Sequence, residues 1–119
     1  MERGLFLVGE IPAGALREQS LVVYGDEGTL LLVGCSHPGV LVILEEVKKR
    51  LGSYPDYLMG GMHLYRKRAQ EITDLWEKLR YMVKKVAPLH CTGRRGARLL
   101  GVEWKEGVWP VRLCQWFHF

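Results

Sequence analysis

Apolar residues recur along the chain in short runs that predict β-strands separated by amphipathic helices. A first strand is predicted at Gly4–Pro12, ended by the proline, and a loop with little core character at Ala13–Ser20. The apolar runs Leu21–Tyr24 and Thr29–Val33 flank a Gly-Asp-Glu-Gly turn, which is typical of a β-hairpin. The second of these runs is apolar at almost every position, which predicts a strand covered on both faces.

Helical spacing begins after a Pro-Gly pair. Val40, Ile43, Leu44, Val47 and Leu51 fall on one face of a predicted helix that ends at Gly52. The same periodicity predicts a second helix over residues 65–82, and a short third helix is predicted after residue 92. The remaining runs predict short strands at Tyr57–Gly60 and Val83–Leu89, and an edge strand with a proline at Gly107–Phe119.

This order of elements predicts one layered α/β domain over residues 1–119, with a mixed sheet and helices on one face. No repeat, low-complexity tract or linker divides the chain. The helices each have one apolar face, whereas the central strands are apolar on both. One face of the sheet is therefore left without a layer, and we expect another chain to cover it.

Charge and cysteine count narrow the classes of function. The net charge of +4 is compatible with anionic ligands such as phosphate, although a solvated basic surface is the commoner explanation. Lys and Arg form no dense stripe, so nucleic-acid binding is not expected, although Arg94, Arg95 and Arg98 keep it as an alternative. Three cysteines, an odd number, argue against a secreted disulfide scaffold. No apolar run approaches the ~20 residues of a membrane span, and we expect a cytoplasmic protein.

Three polar clusters follow the ends of predicted strands. They are Cys35-Ser36-His37, then His63, and then His90-Cys91-Thr92. In open α/β sheets, ligand sites collect at the carboxyl ends of strands, so these side chains are expected to converge. Thiolate and imidazole suit a metal such as zinc, although the spacing matches no zinc-finger pattern.

Two of these clusters have other interpretations. Thr92 is expected to cap a helix whose first N–H groups, with Arg94 and Arg95, would bind a phosphate; a solvated helix start is the alternative. Cys35 and His37 are also candidates for a Cys–His nucleophile pair, although the Pro-Gly that follows disfavours its geometry.

Four motifs together resemble one family. They are VGEIP (residues 8–12), GCSHPG (34–39), GGMHL (60–64) and HCTG (90–93). Their order and spacing resemble the metallo-β-lactamase-fold hydrolases, in particular the subgroup labelled dihydropterin / ribofuranosylaminobenzene phosphate synthase. GCSHPG together with HCTG is the most specific part of this resemblance.

The resemblance implies a fold and a metal site. The fold is a four-layer αββα sandwich whose two halves meet at a dinuclear metal centre. His90 is implied as a metal ligand, and Cys35 and His37 as a pair from which one or both bind metal. The metal would be zinc, with iron or manganese as alternatives. His63, Thr92, Arg94 and Arg95 are the residues expected to meet a phosphate-bearing substrate.

The family's His-x-His-x-Asp-His signature is absent from this sequence. The resemblance therefore extends to the C-terminal half of the fold only, and no complete catalytic set is expected on this chain alone. We expect a metal-dependent hydrolase of phosphoesters once a separate N-terminal-half chain completes it, with the isolated chain inactive and able to lack the metal. The alternative is a non-catalytic half-fold that self-associates as a homodimer and acts as a scaffold or binding module.

Overall fold

The computed structural model describes residues 3–111, which form a five-stranded sheet, three α-helices and two short 3-10 turns. The strands lie in chain order across the sheet; β1 to β3 are antiparallel and β3 to β5 are parallel. The strands are β1 (Gly4–Ala13), β2 (Leu16–Tyr24), β3 (Thr29–Val33), β4 (Tyr57–Gly61) and β5 (Lys85–Leu89). The helices are α1 (Val40–Leu51), α2 (Ala69–Leu79) and α3 (Gly93–Glu103), and the 3-10 turns are His90–Thr92 and Lys105–Gly107.

One face of the sheet packs against the helices. Val22, Leu31, Leu58 and Val86 are aligned partners on four neighbouring strands, and each is fully buried. The apolar sides of the helices complete this core, through Ile43, Leu44, Val47, Ile72, Trp76, Leu79 and Leu100. No helical residue in the described part of the chain joins the core of the opposite face. The mixed sheet with helices on one face is confirmed.

The opposite face of the sheet is also apolar. Leu30, Met59 and Ala87 form a small second cluster there, partly covered by Trp109 and Val111. The same face continues onto the antiparallel strands, because Leu5 and Leu7 pair with Val23 and Leu21. Leu5 is 68% exposed and Leu7 is 67% exposed. A contiguous apolar surface of this kind is typical of an interaction site. We call this surface, formed by Leu5, Leu7, Leu21, Val23, Leu32 and Met59, the open sheet face.

The predicted loop at 13–20 is wrong. The chain turns at Gly14, whose φ of 60° suits a glycine, and returns as β2 from Leu16 onward. Pro12 does not end β1 but pairs opposite Arg17. A proline is tolerated there because β1 is the edge strand and needs no outward N–H. The polar run after Leu16 forms a strand because a hairpin partner satisfies its backbone.

Helix α2 is shorter than predicted. It begins at Ala69, because Arg68 donates its backbone N–H to Glu71 at 2.8 Å in a capping box. It ends at Leu79, so three residues at its predicted end lie beyond the helix. Helix α1 has its predicted bounds and ends against Gly52 in the left-handed conformation.

The tail prediction is tested only in part. Val108 forms a parallel bridge with Val86, and Trp109 donates its N–H to the Val86 carbonyl at 2.8 Å, so the chain returns beside β5. The rest of the predicted edge strand, residues 112–119, lies outside the described residues. None of the helices in the described residues 3–111 has the length and apolar character of a membrane span.

Candidate metal centre

Of the three strand-end clusters that were predicted to converge, the first and the third meet through Cys35, His90 and Cys91. Strands β3, β4 and β5 run parallel, so the segments that follow them share one edge of the sheet. Cys35 follows β3, and His90 and Cys91 form the 3-10 turn that follows β5. The ligand atoms of Cys35, His90 and Cys91 all lie within 4.8 Å of one another. We call these three residues the thiol–imidazole cluster.

Contacts inside the cluster are close. Cys35 Sγ lies 3.2 Å from His90 Nε2, and Cys91 Sγ donates to the Cys35 carbonyl at 3.4 Å. Burial raises the pKa of the Cys91 thiol, and the neighbouring Cys35 raises it further. Both cysteines are half-buried and His90 is exposed, so the cluster opens toward solvent on its imidazole side.

Gly61 makes room for the cluster. A Cβ at this position would lie 2.5 Å from Cys91 Sγ and 2.6 Å from His90 Cε1. The Gly61 backbone is held in turn, since its N–H donates to the Gly34 carbonyl at 2.8 Å and its carbonyl accepts from buried Ser36 Oγ at 2.6 Å. The glycine at the end of β4 thus lets two ligand side chains pack over the strand.

His37 is not part of this cluster. Its ring Nδ1 and its backbone N–H both contact Glu18 Oε1, the latter at 2.9 Å. Its ring stacks at a tilt on that of His63, with 4.7 Å between centroids. His63 has a φ of 53°, which is uncommon for a residue with a Cβ, and its buried Nδ1 has no hydrogen-bond partner among the described residues. Such backbone conformations concentrate at functional sites.

A cavity of about 490 Å³ lies beside the two stacked rings. A volume in this range suits a small organic molecule. Its walls are mostly apolar, and its charged lining residues come from the segment before α2 and from α2 itself. The lining includes His37, His63, Val40, Leu41, Met62, Leu64, Leu75, Lys67, Glu71, Asp74 and Lys78.

The residues after β5 that were predicted to bind phosphate, Thr92, Arg94 and Arg95, differ from one another in burial and in hydrogen bonding. Thr92 is buried, and its hydroxyl accepts a hydrogen bond from the Met62 N–H at 3.1 Å. Thr92 is the N-cap residue of α3, as predicted, but its side chain makes no capping hydrogen bond to the helix. Arg95 donates to the Lys67 carbonyl, and Arg94 is exposed. The Thr92 hydroxyl is therefore engaged by the backbone after β4, and it links the ends of β4 and β5.

Two residues near the candidate site were not among the predicted metal ligands or substrate-binding residues. Cys91 lies beside predicted His90 in the HCTG motif, and its thiol was not proposed as a ligand. Glu18 fell in the segment predicted to be a loop, 19 residues before its partner His37. The sequence pattern thus predicted the edge of the sheet, but not which of the side chains at that edge lie close enough together to bind one metal ion.

The donor atoms of the cluster suit a metal such as zinc, and all of them lie within 4.8 Å of one another. With bond lengths of ~2.0–2.3 Å, tetrahedral ligands lie about 3.3–3.8 Å apart. The 3.2 Å between Cys35 Sγ and His90 Nε2 is close to that range. Two sulfur atoms and one imidazole nitrogen are also the donor types that zinc prefers, and three protein ligands leave one position open.

Comparison with known proteins supports both the fold and the motifs. No protein-family model matches the chain. The chain is 31% identical over 91 residues to the 7,8-dihydropterin-6-methyl-4-(beta-D-ribofuranosyl)-aminobenzene-5'-phosphate synthase of Methanocaldococcus jannaschii, covering 75% of this chain and 31% of that protein. The crystal structure of Tm1679, a metal-dependent hydrolase of the β-lactamase superfamily, superimposes with a TM-score of 0.77 and 24% identity.

The extent of these matches is unequal. The structural match covers 93% of this chain and 52% of the solved one, so this chain spans about half of that structure. It spans about a third of the curated relative. The described residues therefore have the fold of about half of a β-lactamase-superfamily protein, and the chain is similar in sequence to the synthase subgroup that its motifs indicate.

Proposed function

We propose that this chain forms the C-terminal half of a metal-dependent hydrolase site that acts on phosphoesters or related electrophiles. One observation supports this most strongly: the ligand atoms of Cys35, His90 and Cys91 lie within 4.8 Å of one another. This group lies at the carboxyl edge of a sheet with the fold of a metal-dependent hydrolase. A divalent metal held there would polarise a substrate oxygen and lower the pKa of a water toward 7.

Each residue near the edge has a distinct part in this proposal. Cys35, His90 and Cys91 hold the metal, with zinc as the first choice and iron or manganese as alternatives. His37 and His63 line the neighbouring cavity and meet the substrate beside the metal. His37 is kept as a further candidate ligand.

A phosphate-bearing substrate is supported by the cavity and by the relative. Lys67 and Lys78 contribute cationic side chains to the lining. The two acids there are engaged elsewhere, since Glu71 accepts from Arg68 and Asp74 accepts from Gln70. The curated relative is named as a synthase of an aminobenzene 5'-phosphate compound. We therefore propose an organic phosphate as the substrate class.

The remaining ligands are proposed to come from a polypeptide segment bearing the His-x-His-x-Asp-His signature, which this sequence lacks. That segment would add its own sheet to the open sheet face, at the ~10 Å spacing of packed sheets. The exposed Leu5 and Leu7 support such a contact. Free Cys35 and Cys91 fit a reducing compartment, and we place the assembly in the cytoplasm.

Metal analysis tests the proposed centre. The full chain is purified, and bound zinc, iron and manganese are measured by mass spectrometry, alone and after co-expression with a segment carrying the missing signature. We expect about one metal per chain, lost in Cys35→Ser, Cys91→Ser and His90→Ala, and retained in the exposed control Tyr81→Ala. Absence of metal in both states would remove the catalytic proposal. Hydrolysis of p-nitrophenyl phosphate by the co-expressed pair, and not by the chain alone, is the expected activity.

A second candidate function is a self-associating scaffold, favoured by the same exposed apolar face. Light scattering separates it from the first. Leu7→Glu is expected to abolish association with the complementary segment. Val102→Glu on α3 is the control, because Val102 is similarly exposed, and it is expected to leave this association unchanged. Stable homodimers of the wild-type chain that Leu7→Glu dissociates, without metal in any state, would instead favour the scaffold. A wild-type chain that stays monomeric and does not bind the complementary segment would contradict both proposed functions.

A further inference from the structure

Glu18 makes an unusual contact with the GCSHPG segment. One carboxylate oxygen, Oε1, contacts both the backbone N–H and the ring Nδ1 of His37. We infer that Glu18 is a positioning residue, which fixes the tautomer and orientation of His37 so that Nε2 is the nitrogen left for the reacting centre. The role of Nε2 at a reacting centre rests on the proposed function, whereas the tautomer and orientation of His37 rest on the Glu18–His37 contacts alone.

The chemistry of the two groups determines the tautomer. An ionised carboxylate only accepts hydrogen bonds, so the His37 nitrogen that faces it must have the proton. In the neutral ring, Nε2 then has the free electron pair. Histidines that bind metals or accept protons are commonly held in this way, with the second nitrogen bonded to a carboxylate.

The paired contact also fixes the direction of the ring. The backbone hydrogen bond of 2.9 Å ties the loop to Glu18, and the ring bond ties the side chain to the same oxygen. Rotating the imidazole by half a turn would replace Nδ1–H with a carbon and lose the second bond. His63 packs against the ring at a centroid distance of 4.7 Å and restricts it further. Both rings line the 490 Å³ cavity.

Glu18 is itself held rigidly enough for this role. Its side chain is 14% exposed, against 33% for that of His37. Its backbone lies on β2, where Gly9 approaches so closely that an added Cβ would lie 2.7 Å from the Glu18 carbonyl oxygen. Its second oxygen, Oε2, is buried without a hydrogen-bond partner among the described residues. A buried carboxylate oxygen without a hydrogen-bond partner is costly, which favours a functional reason for the presence of Glu18.

Nitrogen NMR of the metal-free full chain tests the inference directly. The protein is labelled with ¹⁵N in its histidine rings and studied at alkaline pH, where imidazoles are neutral. We expect the His37 Nδ1 to resonate as a protonated nitrogen and Nε2 as an unprotonated one. Glu18→Ala is expected to change the tautomer ratio of His37 by about tenfold or more, as loss of a charge-assisted hydrogen bond implies. Glu18→Gln, whose amide oxygen also accepts, is expected to restore the wild-type tautomer.

The control is Glu10→Gln on β1. Glu10 is an exposed acid that pairs with Arg17, so its loss should leave the His37 spectrum unchanged. A wild-type ring protonated at Nε2, or a tautomer ratio that Glu18→Ala does not change, would overturn the inference. If Glu18→Ala does not fold, the wild-type and Glu18→Gln spectra decide. These readouts need no metal, so failure of zinc to bind would count against the proposed function alone.

Discussion

Gly61 offers the sharpest perturbation of the thiol–imidazole cluster. Replacing it with alanine adds one Cβ at the end of β4, directly beneath two of the three candidate ligands. Gly61 does not have a positive φ, so alanine can adopt its backbone conformation without strain. The effect of Gly61→Ala is therefore steric and acts on the cluster, whereas a change at Gly60, with a φ of 142°, would strain the backbone itself.

The size of the effect follows from the contact distances. The new Cβ would lie 2.5 Å from Cys91 Sγ, 2.6 Å from His90 Cε1 and 2.7 Å from His90 Nε2. An ordinary contact begins near 3.4 Å, so both side chains must move by almost 1 Å. Metal–ligand distances tolerate only about 0.2 Å. The displacement thus exceeds the tolerance several-fold, and zinc affinity should fall by about 100-fold or more, at the upper end of ligand-orienting mutations.

The same substitution should affect folding much less. Overpacking costs about 1–3 kcal/mol where nothing can move. Here the atoms that the new Cβ would contact lie at the ends of side chains, and His90 is exposed and can move. We therefore expect the free energy of unfolding to fall by about 1 kcal/mol. For a chain of this length, that is about a 4 °C fall in melting temperature. Large loss of metal with small loss of stability is the expected result.

Calorimetric titration of zinc into the full chain is the assay, with melting followed by circular dichroism. Gly34→Ala is the matched control, because it is also a glycine without positive φ beside the site, and no atom lies within 4 Å of its added Cβ. Wild-type zinc affinity in Gly61→Ala would refute the placement of His90 and Cys91 over Gly61. Equal losses in both variants would show a general effect of alanine at this edge.

Two further predictions concern stability. Desolvation raises the pKa of Asp56, but hydrogen bonds from the Thr29 N–H and from Lys84 Nζ outweigh it and lower the pKa below its ordinary value. Asp56→Asn should therefore lower the free energy of unfolding by about 1 kcal/mol at pH 7, measured by urea denaturation. This difference between wild type and variant should shrink as the pH falls below about 4, because the carboxylate stabilises the fold only while it is ionised. A difference that stays constant with pH would contradict this. Trp76 is fully buried and donates from Nε1 to the Gly96 carbonyl at 3.0 Å, so Trp76→Phe should cost about 1–3 kcal/mol by the same method, and an unchanged midpoint would contradict that packing.

Periodicity was a good guide to the elements that pack against the core. Helix α1 has its predicted bounds because its five apolar positions meet the sheet, and the β2–β3 hairpin forms around the predicted Gly-Asp-Glu-Gly turn. The first half of β2 was missed because residues 17–20 are all polar, so they show no alternation of apolar and polar positions. Its strand conformation comes from the backbone ladder with β1, which leaves no trace in the hydrophobic pattern.

The position of the candidate site was easier to predict than its set of donor atoms. Strand ends indicated the edge at which the thiol–imidazole cluster lies, since parallel strands align their carboxyl ends. The distinction between Cys91 and His37 as partners of Cys35 depends on the turn after β5 and on room above Gly61. These are tertiary facts, and residue spacing in one sequence does not contain them.

Glu18 shows where the sequence held more information than its hydrophobic pattern. In the β2–β3 hairpin, Tyr24 pairs with Thr29 and Leu21 with Leu32, so each step back along β2 is a step forward along β3. Extending that register places Glu18 opposite Cys35, two residues from His37. Because β2 is antiparallel to β3, its beginning lies at the carboxyl edge where the site forms. A hairpin turn thus brings an acid from a polar, weakly patterned segment to the histidine that it is proposed to orient.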